Sequence, residues 1–168
     1  GAIARTVFSH MNYQLGYKYD FLNGDGLANT IELGVSTPFY RSQNHSVFGD
    51  FAYRHRALSD GLFDGMLSAK KSSDSLQLET HGYERGKRDS LVYSVSHTIG
   101  RLSLDNIFAE EQDTDLNSSG WYNKSNAMLY YIHQFDNRWQ LHASLNGQVG
   151  WRNLDSSEDF YIGGAEGV

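Results

Sequence analysis

Apolar and polar side chains that alternate with a period of two, segment after segment, constrain this chain more than any other feature. From Val7 to Tyr19 the odd positions are Val7, Ser9, Met11, Tyr13, Leu15, Tyr17 and Tyr19, and the even ones are Phe8, His10, Asn12, Gln14, Gly16 and Lys18. Only Ser9 and Phe8 break the alternation, which assigns the odd face as apolar and the even face as wet. From Trp139 to Arg152 the pattern is cleaner. Trp139, Leu141, Ala143, Leu145, Gly147, Val149 and Trp151 share one face, while Gln140, His142, Ser144, Asn146, Gln148 and Arg152 share the other. Successive side chains of a strand point to opposite faces, so each such segment predicts a strand with one apolar and one wet side. Ile31–Phe39, Val47–Ala57, Leu76–Tyr83, Leu91–Ile99 and Asn126–Phe135 read as further strands, the last apolar on both faces across Met128–Ile132.

The connections carry a second regularity. Pro38–Asn44, Arg85–Asp89 and Asp136–Arg138 are short and polar, as hairpin turns are. The alternate connections are irregular: Ser59–Asp74 and Arg101–Trp121 are long, Phe21–Gly26 is the shortest of them, and Asn23-Gly24-Asp25-Gly26 is a turn signal. Short turns on one edge and long loops on the other are the pattern of an outer-membrane barrel. A mean hydropathy of -0.54 fits this, because a barrel strand is apolar on one face only. Aromatics at 14% and 17 Gly against a single Pro point the same way, since Tyr and Trp favour membrane interfaces and Pro is excluded from sheet ladders. No run of 18 apolar residues is present, so no membrane-spanning helix is encoded. The formal charge of -6 argues against a nucleic-acid footprint, and the absence of Cys leaves the redox compartment open. About seven antiparallel strands leave two edges that lipid cannot satisfy, so the expectation is a partial barrel continued by further chain.

Chemistry-bearing motifs are scarce. His10, His55, His81, His97, His133 and His142 fall one to a strand and His45 in a turn, without compact ligand spacing, so no metal or other cofactor is expected. Glu110, Glu111, Asp113 and Asp115 lack the spacing and glycine of a calcium loop and read as a solvated acidic loop. No Gly-x-Ser-x-Gly elbow supports a hydrolase triad, and no enzyme activity is expected. On the wet faces, Asn12, Gln14, Lys18, Glu32, Asp50, Arg54, Arg56, Gln77, Glu79, Gln140, His142, Asn146, Gln148 and Arg152 are candidates to line a hydrated lumen.

The most specific stretch runs from Leu154 through Phe160-Tyr161-Ile162-Gly163-Gly164-Ala165-Glu166-Gly167-Val168. It resembles the start of the inward-folded loop of two-partner-secretion transporters, the haemolysin secretion/activation (ShlB/FhaC/HecB) family. There an aromatic-x-aliphatic-Gly-Gly stretch leads into Val-Arg-Gly-Tyr/Phe. Phe160, Ile162, Gly163, Gly164 and Val168 match, and the Arg would come next. Ser36-Thr37-Pro38-Phe39-Tyr40-Arg41 resembles the family's short turn, and Ser94–Gly100 with Leu102-Ser103-Leu104 another strand-to-loop passage.

The resemblance implies a sixteen-stranded barrel in the bacterial outer membrane, of which residues 1–168 are a middle portion. It implies a monomeric transporter that secretes a partner exoprotein of haemolysin or adhesin type. Phe160, Ile162, Gly163, Gly164, Gly167 and Val168 would then belong to the gating-loop motif, the glycines permitting close backbone approach to the wall. The rival expectations are a barrel-assembly factor of the same superfamily and a soluble β-sandwich binding module. The fold class expected is all-β: an antiparallel meander forming part of a transmembrane barrel.

Overall fold

The structure is a computed structural model that describes residues 1–14, 24–62, 67–113, 117–136 and 138–158. Seven strands form one sheet: β1 (Ile3–Gln14), β2 (Asp25–Arg41), β3 (His45–Leu62), β4 (Leu67–Arg85), β5 (Asp89–Leu104), β6 (Gly120–Gln134) and β7 (Gln140–Gly150). Spatial order equals chain order and every pair is antiparallel, so the sheet is a plain meander. A short helix, α1 (Ile107–Asp113), lies between β5 and β6, and a single 3-10 turn, Ser156–Glu158, follows β7.

The expected hairpin turns are found, the first two tighter than the sequence suggests and the third, between Gln134 and Gln140, longer. After β2 the chain reverses over residues 42–44, where Ser42 N–H donates to His45 O at 2.8 Å. Pro38 lies inside β2, and a register shift between Pro38 and Tyr40 accommodates it, as a residue without an N–H requires. The β6–β7 turn is closed by Asp136, whose Oδ1 accepts the N–H groups of Arg138 and Trp139 at 2.7 and 2.9 Å.

On the opposite edge the structure corrects the sequence reading. Ser59–Asp74 is not an irregular loop: β3 continues to Leu62 and β4 starts at Leu67, paired residue for residue. Asp25 and Gly26 already belong to β2. Within Arg101–Trp121, β5 runs to Leu104 and α1 follows, capped by Asn106, whose Oδ1 accepts the Ala109 N–H at 3.1 Å. Asp113 is buried rather than solvated. Its carboxylate accepts the Ser118 N–H and hydroxyl and the Ser119 N–H. Burial pushes the Asp113 carboxyl up, the Ser118 and Ser119 bonds outweigh that, and its pKa lies below the ordinary value. Asp115 lies outside the described residues.

Register divides the sheet into two faces. Leu33, Phe51, Leu78, Val95, Leu129 and Leu145 stand on one, all exposed. Glu32, Arg54, Ser75, Tyr122, Lys124 and Gln148 stand on the other, and much of that face is buried. A sandwich would cover its apolar face with a second sheet. All seven strands here belong to one sheet, and the apolar face has no protein cover among the described residues.

β1 reverses the face assignment drawn from its sequence. Val7 pairs with Glu32 and Ser9 with Thr30, which puts the odd residues on the polar face; Phe8 pairs with Ile31 and His10 with Asn29 on the apolar one. Asn12 and Gln14 therefore point away from the polar face, and Lys18 lies outside the described residues. Two observations explain the reversal. Arg5, an odd residue, reaches Glu32 at 2.8 Å, and the odd side chains Ser9 and Met11 line a cavity together with apolar Ala28 and Leu58.

Gly100 is fixed by a close approach. The Tyr122 ring lies across it, so that a Cβ at position 100 would fall 2.4 Å from Tyr122 Cζ. The ring thereby reaches from β6 over β5, and its hydroxyl meets Ser73 Oγ of β4 at 3.2 Å. Gly100→Val should displace the ring at a cost of about 1–3 kcal/mol. The expected readout is a lower unfolding temperature; an unchanged transition would show that the ring is not held there.

Candidate functional site

Where β7 ends, the chain does not leave the sheet. Residues 154–158 turn back over its polar face, and the contacts that hold them are ionic. Lys71 Nζ of β4 donates to Asp155 Oδ2 at 2.7 Å. Lys124 Nζ of β6 donates to Glu158 Oε2 at 2.7 Å and to the Glu158 carbonyl at the same distance. Arg56 Nη1 of β3 reaches Glu158 Oε1 at 3.2 Å and the Ser157 carbonyl at 2.9 Å. Ser73 Oγ, beside the Tyr122 hydroxyl, donates to Glu158 Oε1 at 3.4 Å, and Gln148 Nε2 to the Glu158 carbonyl at 3.3 Å.

Strand alternation explains why these donors converge. Arg56 and Ser73 are direct partners across β3–β4, Lys71 is two residues before Ser73, and Lys124 is two after Tyr122. All point to the polar face from neighbouring positions on β3, β4 and β6. The segment is shaped to meet them: Asp155 Oδ1 accepts the Ser157 N–H at 3.0 Å and the Asp155 carbonyl accepts the Glu158 N–H at 2.8 Å, closing the 3-10 turn. Asp155 and Glu158 are 6% and 5% exposed. Carboxylates so far from water persist only when paired and hydrogen-bonded, and both are. Burial pushes the Asp155 carboxyl up, but the bonds from Lys71 and Ser157 and the Lys71 charge outweigh it, and its pKa lies below the ordinary value.

A second ionic group lies on the same face. Glu32 takes Arg54 at 2.6 Å and Arg5 at 2.8 Å, tying β1, β2 and β3 together. The polar face is thus a charged wall with a charged segment laid on it.

The residues picked from sequence fall as follows. Gln140, His142, Asn146 and Gln148 of β7 stand on the polar face, and Gln148 touches the docked segment. His142 Nδ1 meets the Tyr130 hydroxyl at 2.6 Å and Nε2 meets Gln140 Oε1 at 2.9 Å. Arg152 is corrected: it lies beyond β7, exposed, and braces the rim by donating to the carbonyls of Trp121 at 3.0 Å and Asn117 at 3.4 Å. Phe160, Ile162, Gly163, Gly164, Gly167 and Val168 lie outside the described residues. Sequence reasoning missed Lys71, Ser73, Tyr122 and Lys124 as site residues and gave Asp155 and Glu158 no role. Carrying the phase of Leu76–Tyr83 back to Lys71, and that of Asn126–Phe135 back to Tyr122, would have put them on the wet face.

The docked Asp155 carboxyl has the lower pKa, so its contribution to docking is complete above the ordinary carboxylate value of about 4 and is lost as pH falls through the lowered one. Protease cleavage within residues 151–158 should stay flat from about pH 8 to 5 and rise only below about pH 4. Lys124→Met removes donors from both the carboxylate and the carbonyl of Glu158 and should weaken docking by about 1.5–3 kcal/mol, raising cleavage at neutral pH.

Comparison with known proteins places this fold. The family model of the haemolysin secretion/activation protein ShlB/FhaC/HecB matches residues 5–168. Among curated proteins, the heme/hemopexin transporter protein HuxB of Haemophilus influenzae (strain ATCC 51907 / DSM 11121 / KW20 / Rd) is 23% identical over 163 residues, 95% of this chain and 29% of the relative. HuxB of strain 86-028NP is 22% identical over 162 residues, again 95% of this chain and 29% of the relative. The chain therefore spans 29% of the length of these relatives. No solved structure matches it significantly. With the family model matched over nearly its whole length, the chain belongs to the haemolysin secretion/activation protein ShlB/FhaC/HecB family.

Proposed function

We propose that this chain is part of the β-barrel of a bacterial outer-membrane transporter that secretes a partner exoprotein of haemolysin or adhesin type. The observation that carries the reading is the pairing of an uncovered apolar face with a charged face on which the chain's own residues 154–158 are docked through Lys71, Lys124 and Arg56. A conduit for an extended polypeptide needs a hydrated wall that does not hold apolar segments, and a movable element that closes it at rest. In this reading the polar face lines the lumen and the docked segment is the root of the gating loop. Phe160, Ile162, Gly163, Gly164, Gly167 and Val168 continue it, and the fold acts as a monomeric barrel completed by the strands beyond this chain.

The apolar face suits lipid. Trp139 and Trp151 flank the two ends of β7, both exposed. Twelve residues of strand cover about 40 Å, and the usual barrel tilt reduces this to about 30 Å, the thickness of a hydrocarbon core. On β4 and β5, past Leu76, the outward side chains become polar: Asp74 pairs with Arg101, and Ser72 with Ser103. These two strands therefore rise above the apolar band. The proposed role involves no bond-making chemistry, and specificity would lie in how the wall and its partner domains meet the exoprotein.

Secretion tests this directly. Deleting the gene should abolish release of a large exoprotein into the medium, and supplying the full-length protein should restore it; unimpaired release would overturn the reading. Membrane placement is tested at the middle of β7. Leu145→Arg, on the apolar face midway between Trp139 and Trp151, should cost about 2–4 kcal/mol of barrel stability. Asn146→Arg, one residue on and facing the polar side, should be tolerated. Equal effects would mean that the apolar face does not meet lipid.

A further inference from the structure

Asp155 and Glu158 occupy a site built for carboxylates, and nothing in its chemistry requires that those carboxylates come from this segment. Three cations on three strands converge on it: Arg56, Lys71 and Lys124, with Ser73 and Gln148 adding neutral donors. Their side chains are 20%, 13% and 14% exposed, so the charges are shielded enough to act strongly and open enough to exchange partners.

The charge balance depends on the segment. Arg56, Lys71 and Lys124 pair with Asp155 and Glu158 while residues 154–158 are docked, and Asp60 lines the adjoining cavity. If the segment leaves, Asp155 and Glu158 go with it, and the group of Arg56, Lys71, Lys124 and Asp60 keeps three positive charges against one negative. An undocked wall therefore attracts acidic side chains, within a chain whose formal charge is -6. There is also room. A cavity of about 470 Å³ opens beside the docked segment among Ser9, Thr30, Arg56, Asp60, Lys71 and Asp155, many times the ~30 Å³ of a water molecule.

We propose that Arg56, Lys71 and Lys124 form a carboxylate-binding subsite for acidic stretches of a passing polypeptide, occupied at rest by the chain's own Asp155 and Glu158. The proposal rests on the transporter reading and gives it a trigger. An acidic stretch that takes the cations from Glu158 releases residues 154–158, and Asp155 and Glu158 return when the stretch has passed. Exchange of one carboxylate for another needs no external energy source, because the same class of bond is broken and made.

Ser157 supplies the reporter. Its Oγ is buried and has no hydrogen-bond partner among the described residues, so a thiol there should be hidden while the segment is docked. The experiment uses the full-length protein in lipid bilayers, with Ser157→Cys as its single cysteine. Maleimide labelling is measured with oligoglutamate, with oligolysine, and with salt of matched ionic strength, and single-channel conductance is recorded on the same preparation. Oligoglutamate alone should raise the labelling rate about tenfold, the shift expected when a docked state loses one decade of its population advantage. In Asp155→Asn/Glu158→Gln the rate should already be high and indifferent to the peptide.

Rates that ignore oligoglutamate while the double variant labels fast would overturn the subsite and leave a static anchor. Equal acceleration by matched salt would also overturn it, reducing the effect to screening. A protein that forms no channel under any condition would instead overturn the transporter reading on which the subsite depends.

Discussion

A strand can satisfy its backbone only sideways, and in this chain that single requirement organises everything else. Each inner strand hydrogen-bonds to its sequence neighbours on both sides, which fixes register, and register fixes which side chains share a face. Because successive residues alternate, one ladder serves two different surroundings at once. Leu33, Phe51, Leu78 and Leu145 are delivered to one side; Glu32, Arg54, Lys71 and Lys124 are delivered to the other. Little apolar core exists to add stability, since the buried apolar residues among those described are mostly alanines with Leu102 and Tyr122. The sheet is held by its ladder and by what lies against each face.

Ladder geometry also explains the ion pairs. Glu32 on β2 meets its direct partner Arg54 on β3 and, diagonally, Arg5 on β1. The docked segment is held by the same logic at longer range, for three adjacent rows of the polar face present Lys71, then Arg56 with Ser73, then Tyr122, with Lys124 one row further. Gly100 matters here although it touches no charge. Without a Cβ it lets the Tyr122 ring lie flat across β5, and the ring carries its hydroxyl to Ser73, which in turn meets Glu158. A steric concession on one strand positions a donor on the next.

Much of the fold was legible because alternation is a local property. β2, β3, β5 and β7 could be read from their own residues, and the meander follows from short turns. What was not legible has physical reasons. The ends of β3 and β4 near residues 59–74 carry Ser, Asp and Lys on both faces, so alternation vanishes while pairing continues. Met11 and Val7 make the odd face of β1 look apolar in the sequence, yet they stand on the polar side, where Met11 lines a cavity with Ala28 and Leu58. The site was least legible of all. Glu158 lies 102 residues from Arg56 and 34 from Lys124, separations that only the folded register brings together.

Docking by charge rather than by apolar burial has a consequence for how such a segment can behave. An apolar plug leaves its seat at the cost of exposing surface to water, about 25 cal/mol per Å², and nothing in a hydrated lumen offsets that. A carboxylate paired with Lys or Arg is different, since water, salt or another carboxylate can replace each bond as it opens. The hydrogen bonds to Asp155 and Glu158 are strong one at a time, about 1.5–3 kcal/mol for bonds to charged groups, but they are separable. Arg56, Lys71 and Lys124 stand on different strands, so each can release its carboxylate without moving the others. A segment held this way is fixed while its carboxylates are ionised and its partners are free to bind them, and yields stepwise to a competitor of the same chemistry. The wall behind it, laddered from β1 to β7, need not change at all.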